Sequence, residues 1–469
     1  YGIIGPISLD SFAPANLRRR LAEHPLLQGR DARIRLAVLT NSTYDGLCYN
    51  AELIKDELED AVDILHFDEA WYGYAAFHEF YAGRHGMGSK RGFERARHPL
   101  VFATQSPHKV LAALSQAENS LEQTLDLERF NEAFMMHTST SPHYGIIASI
   151  DVATGMMAGD PGRSLVQETL DEALSFRRAM QQTADRLEED QWWFDVWEPE
   201  DALDAEQVQA SDWTLDDNEH WHGFGPMAED YALLDPIKVT LLTPGVEEKG
   251  RLARSGIPAA VVTRFLAERG LVVEKTGLYS FLILFSLGIT KGKWSTLVSE
   301  LQEFKRLYDA NAPLEATLPG IAATGHYRGL GLQDICQQLH AFYKEQRMVR
   351  ILRQIYTELP EMVIRPADAC QQMVRGQVEM VPVDQLAGRI SAVMLVPYPP
   401  GIPVIMPGER FASDSTAITD FLQVAQNQDA QFPGFESDIH GLRPIHTQDG
   451  STIFCVDCLV DIQINPMPT

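Results

Sequence analysis

No apolar run in this chain approaches the length of a membrane span. The longest, Phe281 to Ile289, is far short of the roughly 20 residues needed to cross a bilayer, and no segment reads as a signal peptide. Cysteine is scarce: 5 in 469 residues, an odd and scattered set that excludes a disulfide framework. Cys455-Val-Asp-Cys458 has no second pair and no histidine at ligand spacing, so no metal is expected there. Basic residues are also few, 39 against 65 acidic ones, for a net charge of -26. That excludes most nucleic-acid binders, which need a basic face to displace counterions. It suits a soluble protein whose negative field attracts a cationic substrate. Internal repeats and low-complexity stretches are missing too. The chain starts at Tyr1 within an apolar segment, "YGIIGPISL", and reads as the later part of a longer polypeptide.

What is present is an alternation of strand and helix signals. Ile34 to Leu39, Val62 to Phe67, Leu100 to Ala103 and Ala133 to Met136 read as short strands, with a helix over Tyr49 to Leu58 between the first two. Apolar strands joined by helices predict a mostly parallel α/β sheet. Each strand ends in a polar cluster: Thr40-Asn41-Ser42-Thr43, Asp68-Glu69, Ser106-Pro107-His108-Lys109 and His137 to Ser141. In such sheets ligands bind beyond the carboxyl ends of the strands. Asn41-Ser42-Thr43 matches a glycosylation acceptor but reads as a polar strand end.

Three regions are expected: 1–155, the sheet region; 156–309, a smaller α+β domain; and 310–469, a C-terminal α+β domain. Ser164 to Leu187 reads as a long amphipathic helix, and the tryptophans of 188–224 read as packing between layers. Ile237 to Leu242 and Phe281 to Phe285 read as strands, Pro258 to Arg269 and Lys293 to Leu307 as helices. "PYPPGIPVIMPGERF", 397–411, marks a rigid turn-rich connection.

On residue type alone Lys109 would be a solvated surface lysine. Asp68 at a neighbouring strand end changes that reading. A pyridoxal phosphate (PLP) site needs a lysine for the Schiff base and an aspartate to keep the pyridine nitrogen protonated, with hydroxyls for the phosphate. Lys109, Asp68 and Ser106 supply those groups.

Here the chain resembles the bacterial ornithine/lysine/arginine decarboxylases, PLP enzymes of the aspartate-aminotransferase-like fold. The segments that carry the resemblance include "TNSTYDGLCYNAELIK", "HFDEAWYGYAAFHEFYAGR", "FATQSPHKVLAALSQA", "WHGFGPMAEDYALLDPIKVTLLTPG" and "EKTGLYSFLILFSLGITKGKWSTLV". The resemblance implies the following roles. Lys109 is the Schiff-base lysine, and His108 is a proton-transferring histidine. Asp68 is the partner of the ring nitrogen, Trp71 the aromatic beside it and Ser106 a phosphate ligand. Thr138 and Ser139 lie in a segment that reaches the phosphate of a neighbouring subunit, so a homodimer, or a larger assembly of dimers, is implied. The resemblance further implies a cytoplasmic enzyme, and places the family's phosphate loop and a ring-stacking histidine before Tyr1. Pro107 departs from the family's Ser-Thr-His-Lys pattern and removes a backbone N–H.

The implied reaction is decarboxylation of a basic amino acid to a diamine, or to agmatine from arginine. Glu274, in Glu274-Lys275-Thr276-Gly277, would meet the substrate's distal cation, although such Glu–Lys pairs usually sit in water. The "EKTG" form is similar to that of the lysine-specific members, which puts lysine ahead of arginine and ornithine. A catalytically silent or split-enzyme subunit is the alternative. An aminotransferase would want an arginine clamp for a second carboxylate, and none is placeable.

Overall fold

The computed structural model describes all residues except 89–98, 112, 114–126, 204–207, 218–220, 248–249, 399–400, 415–416, 437, 448–451 and 461–469. The first strands are β1 (Ile34–Thr40), β2 (Leu47–Tyr49), β3 (Val62–Asp68) and β4 (Leu100–Thr104). β1, β3 and β4 form a parallel 3-stranded sheet with β3 in the centre. The register aligns Thr40 with Asp68 and Asp68 with Thr104. The three strand ends therefore lie in one row, and the polar residues after them converge.

The first helices are α1 (Pro14–Glu23), α2 (Ala51–Leu58), α3 (Pro107–Val110), α4 (Leu127–His137), α5 (Tyr144–Met157) and α6 (Asp160–Ala184). The helix expected from Tyr49 begins later, because Asn50 caps it: its side chain accepts from Glu52 and Leu53 N–H, as N-cap residues do. Tyr49 belongs to β2 instead. The strand expected over Ala133 to Met136 is not formed; those residues lie inside α4. A four-residue apolar run cannot distinguish the two periods. The helical one prevails, with the rings of Phe130 and Phe134 stacked one turn apart at 6.1 Å. Phe134 and Met136 are exposed.

Beyond α6 come β5 (Asp195–Val196), β6 (Ala232–Leu234), β7 (Lys238–Leu242), β8 (Lys275–Thr276) and β9 (Ser280–Leu284), with α7 (Ala259–Ala267) and α8 (Lys291–Asp309). β5, β7, β9 and β8, in that spatial order, make an antiparallel sheet. β6 pairs with β2, antiparallel, and so ties this region to the strand ends of the first sheet. Every residue of β7 is buried, Lys238 and Thr240 as well as the apolar Val239, Leu241 and Leu242. Trp213 is fully buried, with the Arg177 guanidinium 4.9 Å from its ring centroid. Cys455 and Cys458 lie buried on a C-terminal antiparallel strand, Thr452–Leu459. Among the described residues no helix is long and apolar enough to cross a membrane.

Candidate active site

The loop after β1 is built around two buried polar residues. Asn41 donates from its side-chain amide to Glu69 Oε1 (3.0 Å) and to the Arg84 carbonyl (2.7 Å), and its Oδ1 accepts from Tyr49 N–H. Ser42 has a φ of 74°, the left-handed region that a non-glycine residue rarely occupies. That turn aims its carbonyl at Trp71 Nε1–H (3.3 Å) and its hydroxyl at the Lys238 ammonium.

Asp68 and Glu69, adjacent at the end of β3, do different work. Glu69 is fully buried. Its Oε1 accepts from Gly86 N–H (2.6 Å) as well as Asn41, and its Oε2 accepts from the Gln105 amide (3.0 Å). It therefore staples the ends of β1, β3 and β4 together. Asp68 is only half buried and its Oδ1 accepts from Ala70 N–H at 3.1 Å; among the described residues its other oxygen has no hydrogen-bond partner.

After β4, Ser106 is the N-cap of α3 and Pro107 is the first helical residue. That position needs no intrahelical N–H, so proline is at home there, and Pro107 is buried. Ser106 N–H donates to Ala70 O, and Ser106 O accepts from Lys109 N–H, both at 3.0 Å. The β4–α3 turn is thus pinned against the β3 end. Lys109 is exposed and His108 half buried, with its Nδ1 buried and lacking a hydrogen-bond partner.

Lys109, Asp68, Trp71 and Glu274 line one cavity of about 750 Å3. Its walls also include Tyr44, Ser42 and, from the proline-rich connection, Tyr398. Glu274 precedes β8 and reaches the first sheet's loop, where its Oε1 accepts from the Tyr44 hydroxyl at 3.1 Å. Ser106 and His108 flank Lys109 but are not among the lining residues. Thr138 and Ser139 follow α4, exposed, and bond locally: Thr138 Oγ1 donates to Phe134 O and Ser139 Oγ to Ser141 O. This chain's own cavity does not include them.

The donor set fits PLP. A cavity-lining amine and, beside a fixed indole, a carboxylate with one oxygen to spare are groups such a cofactor takes, and an imidazole with an orphaned buried nitrogen adjoins the amine in sequence. Among the described residues, no group of three or more His, Cys, Asp or Glu side chains could hold a metal ion.

A buried network behind Trp71 was not expected from the sequence. Lys238 is fully buried, with its Nζ 4.0 Å from the Trp71 ring centroid and 4.0 Å from Asp235 Oδ2. Burial lowers its pKa, while Asp235 acts to raise it. Asp235, also fully buried, accepts from the hydroxyls of Tyr74 and Tyr81, the latter at 2.8 Å. Burial raises both phenol pKa values well above the usual range, so both stay protonated donors. The available signal was two charged residues in the apolar run "ALLDPIKVTLL", since such residues are almost never buried unless paired. Asp235→Ala is expected to cost about 3–5 kcal/mol, because Lys238 and two phenols lose their shared acceptor. Thermal unfolding of the variant against the parent checks this.

Residues 1–293 match the Orn/Lys/Arg decarboxylase major domain, and residues 349–460 the Orn/Lys/Arg decarboxylase C-terminal domain. The chain belongs to the Orn/Lys/Arg decarboxylase family. It is 58% identical to lysine decarboxylase LdcA of Pseudomonas aeruginosa, over 98% of this chain and 61% of that protein. It is 43% identical to the constitutive lysine decarboxylase of Escherichia coli, over 94% of this chain and 60% of that protein. The solved structure of lysine decarboxylase A from Pseudomonas aeruginosa superposes with a TM-score of 0.93 at 57% identity, covering 98% of this chain and 62% of that one. The chain thus spans about three fifths of the length of the decarboxylases it matches. The superposition bears out the α/β fold class with its parallel sheet and C-terminal domain.

Proposed function

We propose that this chain carries the Schiff-base lysine and ring-nitrogen partner of a PLP-dependent basic amino acid decarboxylase. Lysine is the substrate we put first, ahead of arginine and ornithine. The observation that supports this most is the single cavity onto which Lys109, Asp68, Trp71 and Glu274 open. Bound PLP supplies an electron sink for the carbanion left when CO2 departs.

The side chains divide the remaining work. Lys109 is the amine that would hold the cofactor. Asp68 supplies a fixed negative charge that favours a protonated ring nitrogen. Trp71, held by Ser42 O and by Lys238, is a rigid wall beside it. His108 and Lys109, adjacent on one turn, are the acids that can return a proton to Cα. Ser106 is the hydroxyl we assign to the phosphate. Thr138 and Ser139, exposed at the end of α4, are assigned to the phosphate of a second copy in a homodimer. Glu274 offers a carboxylate to the distal cation of the substrate. Regions 1–155, 156–309 and 310–469 are the domains we propose.

The test is CO2 release from the PLP-loaded protein supplied in turn with lysine, arginine and ornithine. Release is expected from lysine at the highest kcat/KM. Release from none of the three would overturn the reading.

A further inference from the structure

Two pairs of sequence neighbours shape the cavity wall around Glu274. Tyr44 is followed by Asp45, and Glu274 by Lys275. Asp45 and Lys275 form a buried ion pair, with Nζ 2.7 Å from both carboxylate oxygens and each side chain no more than 3% exposed. Lys275 Nζ also donates to Gly2 O at 3.1 Å. Successive side chains of an extended segment point to opposite sides. With Lys275 turned into the core, Glu274 is turned toward the cavity. The same ion pair fixes the loop that carries Tyr44 against the strand that carries Glu274, so the hydroxyl meets Oε1 as a consequence of buried register.

Tyr44 is itself immobilised. Its ring is tilted against Trp71 at a centroid distance of 4.9 Å and lies edge-on to Tyr398 at 6.4 Å. Its pKa is raised, mainly by burial and also by Tyr398 and Glu274, so it remains an O–H donor at neutral pH. Among the described residues no cation forms a salt bridge with Glu274, because Lys275 is held by Asp45. One oxygen of the carboxylate is engaged by Tyr44, and among the described residues the other has no hydrogen-bond partner.

We propose that Tyr44 determines which distal cation this pocket accepts: by occupying one oxygen of Glu274 it favours a compact primary ammonium over a guanidinium. An ammonium is a compact point charge with three rotatable donors, and it can bind one carboxylate oxygen without needing the second. A guanidinium is a planar fork whose strong binding mode takes both oxygens at once. This rests on the proposed decarboxylation and names the residue that sets its substrate class.

The experiment compares steady-state decarboxylation of lysine and arginine by the PLP-loaded parent and by Tyr44→Phe, which keeps the ring and removes only the hydroxyl. The lysine-to-arginine ratio of kcat/KM is expected to fall about tenfold, the discrimination that one charge-assisted hydrogen bond can supply. The change should appear as a lower KM for arginine, with little change in the KM for lysine or in either kcat. A merely structural role would lower both substrates together. In a Glu274→Gln background, Tyr44→Phe should no longer move the ratio. A ratio unchanged by Tyr44→Phe in an enzyme that does decarboxylate lysine would overturn this proposal alone. A Tyr44→Phe effect that persists undiminished in Glu274→Gln would also overturn it. A parent that decarboxylates neither substrate would overturn the functional reading and this proposal with it.

Discussion

Lys109→Ala is expected to leave a folded protein that releases CO2 from lysine at about a thousandth of the parent rate or less. The lysine is assigned two tasks, attachment of the cofactor and proton return. A positioned acid or base alone contributes about 10²–10⁴-fold. The variant is also a clean one. Lys109 is exposed and among the described residues forms no salt bridge, so truncation away from the core should change stability by no more than about 0.5 kcal/mol. Its unfolding midpoint should therefore match that of the parent while turnover collapses. Parent-like CO2 release from Lys109→Ala would exclude the assignment.

Asp68→Asn should retain PLP and lose at least about a hundredfold in turnover. Asparagine keeps the shape, and its side-chain oxygen can still accept from Ala70 N–H, so the turn after β3 survives. What disappears is the charge. An opposite charge within a few ångströms shifts a pKa by about 1–3 units. Each unit is about 1.4 kcal/mol, and each such step is tenfold in rate. Two units give the hundredfold. Cofactor absorbance after gel filtration, together with CO2 release, separates binding from turnover. If the variant bound PLP and worked at the parent rate, Asp68 would be a turn-capping aspartate and no more.

The parts of this site that were legible in the sequence are those carried by local pattern. The strand runs that end at Thr40, Asp68 and Thr104 are short, apolar and bounded by polar residues, and the sheet register places those ends in one row. Asp68 and Lys109 could be named because they sit at or one short turn from a strand end, whereas Trp71 was named from the family resemblance alone. The Ala133 to Met136 run reads as a strand and is a helix, because four apolar residues fit either period and the flanking Phe130 decides for the helix. Long-range pairs were out of reach. Tyr44 and Glu274 are 230 residues apart, and the ion pair that brings them together spans the same separation. Glu69 looked like a companion to Asp68, yet it is a buried staple whose acceptors are used up on three different segments. Asp235 and Lys238 are charges in an apolar run, a signal the sequence reading did not use, and nothing in their spacing tells that they back Trp71.

The most direct measurement is borohydride reduction of the PLP-loaded protein, followed by peptide mapping. Reduction fixes the cofactor to whichever amine holds it. The pyridoxyl group is expected on Lys109, in the peptide that contains Ser106-Pro107-His108-Lys109. Two other lysines near the cavity make the result discriminating: Lys238 is enclosed behind Trp71, and Lys275 is held by both oxygens of Asp45. Label on either of them, or on any lysine other than Lys109, would contradict the account.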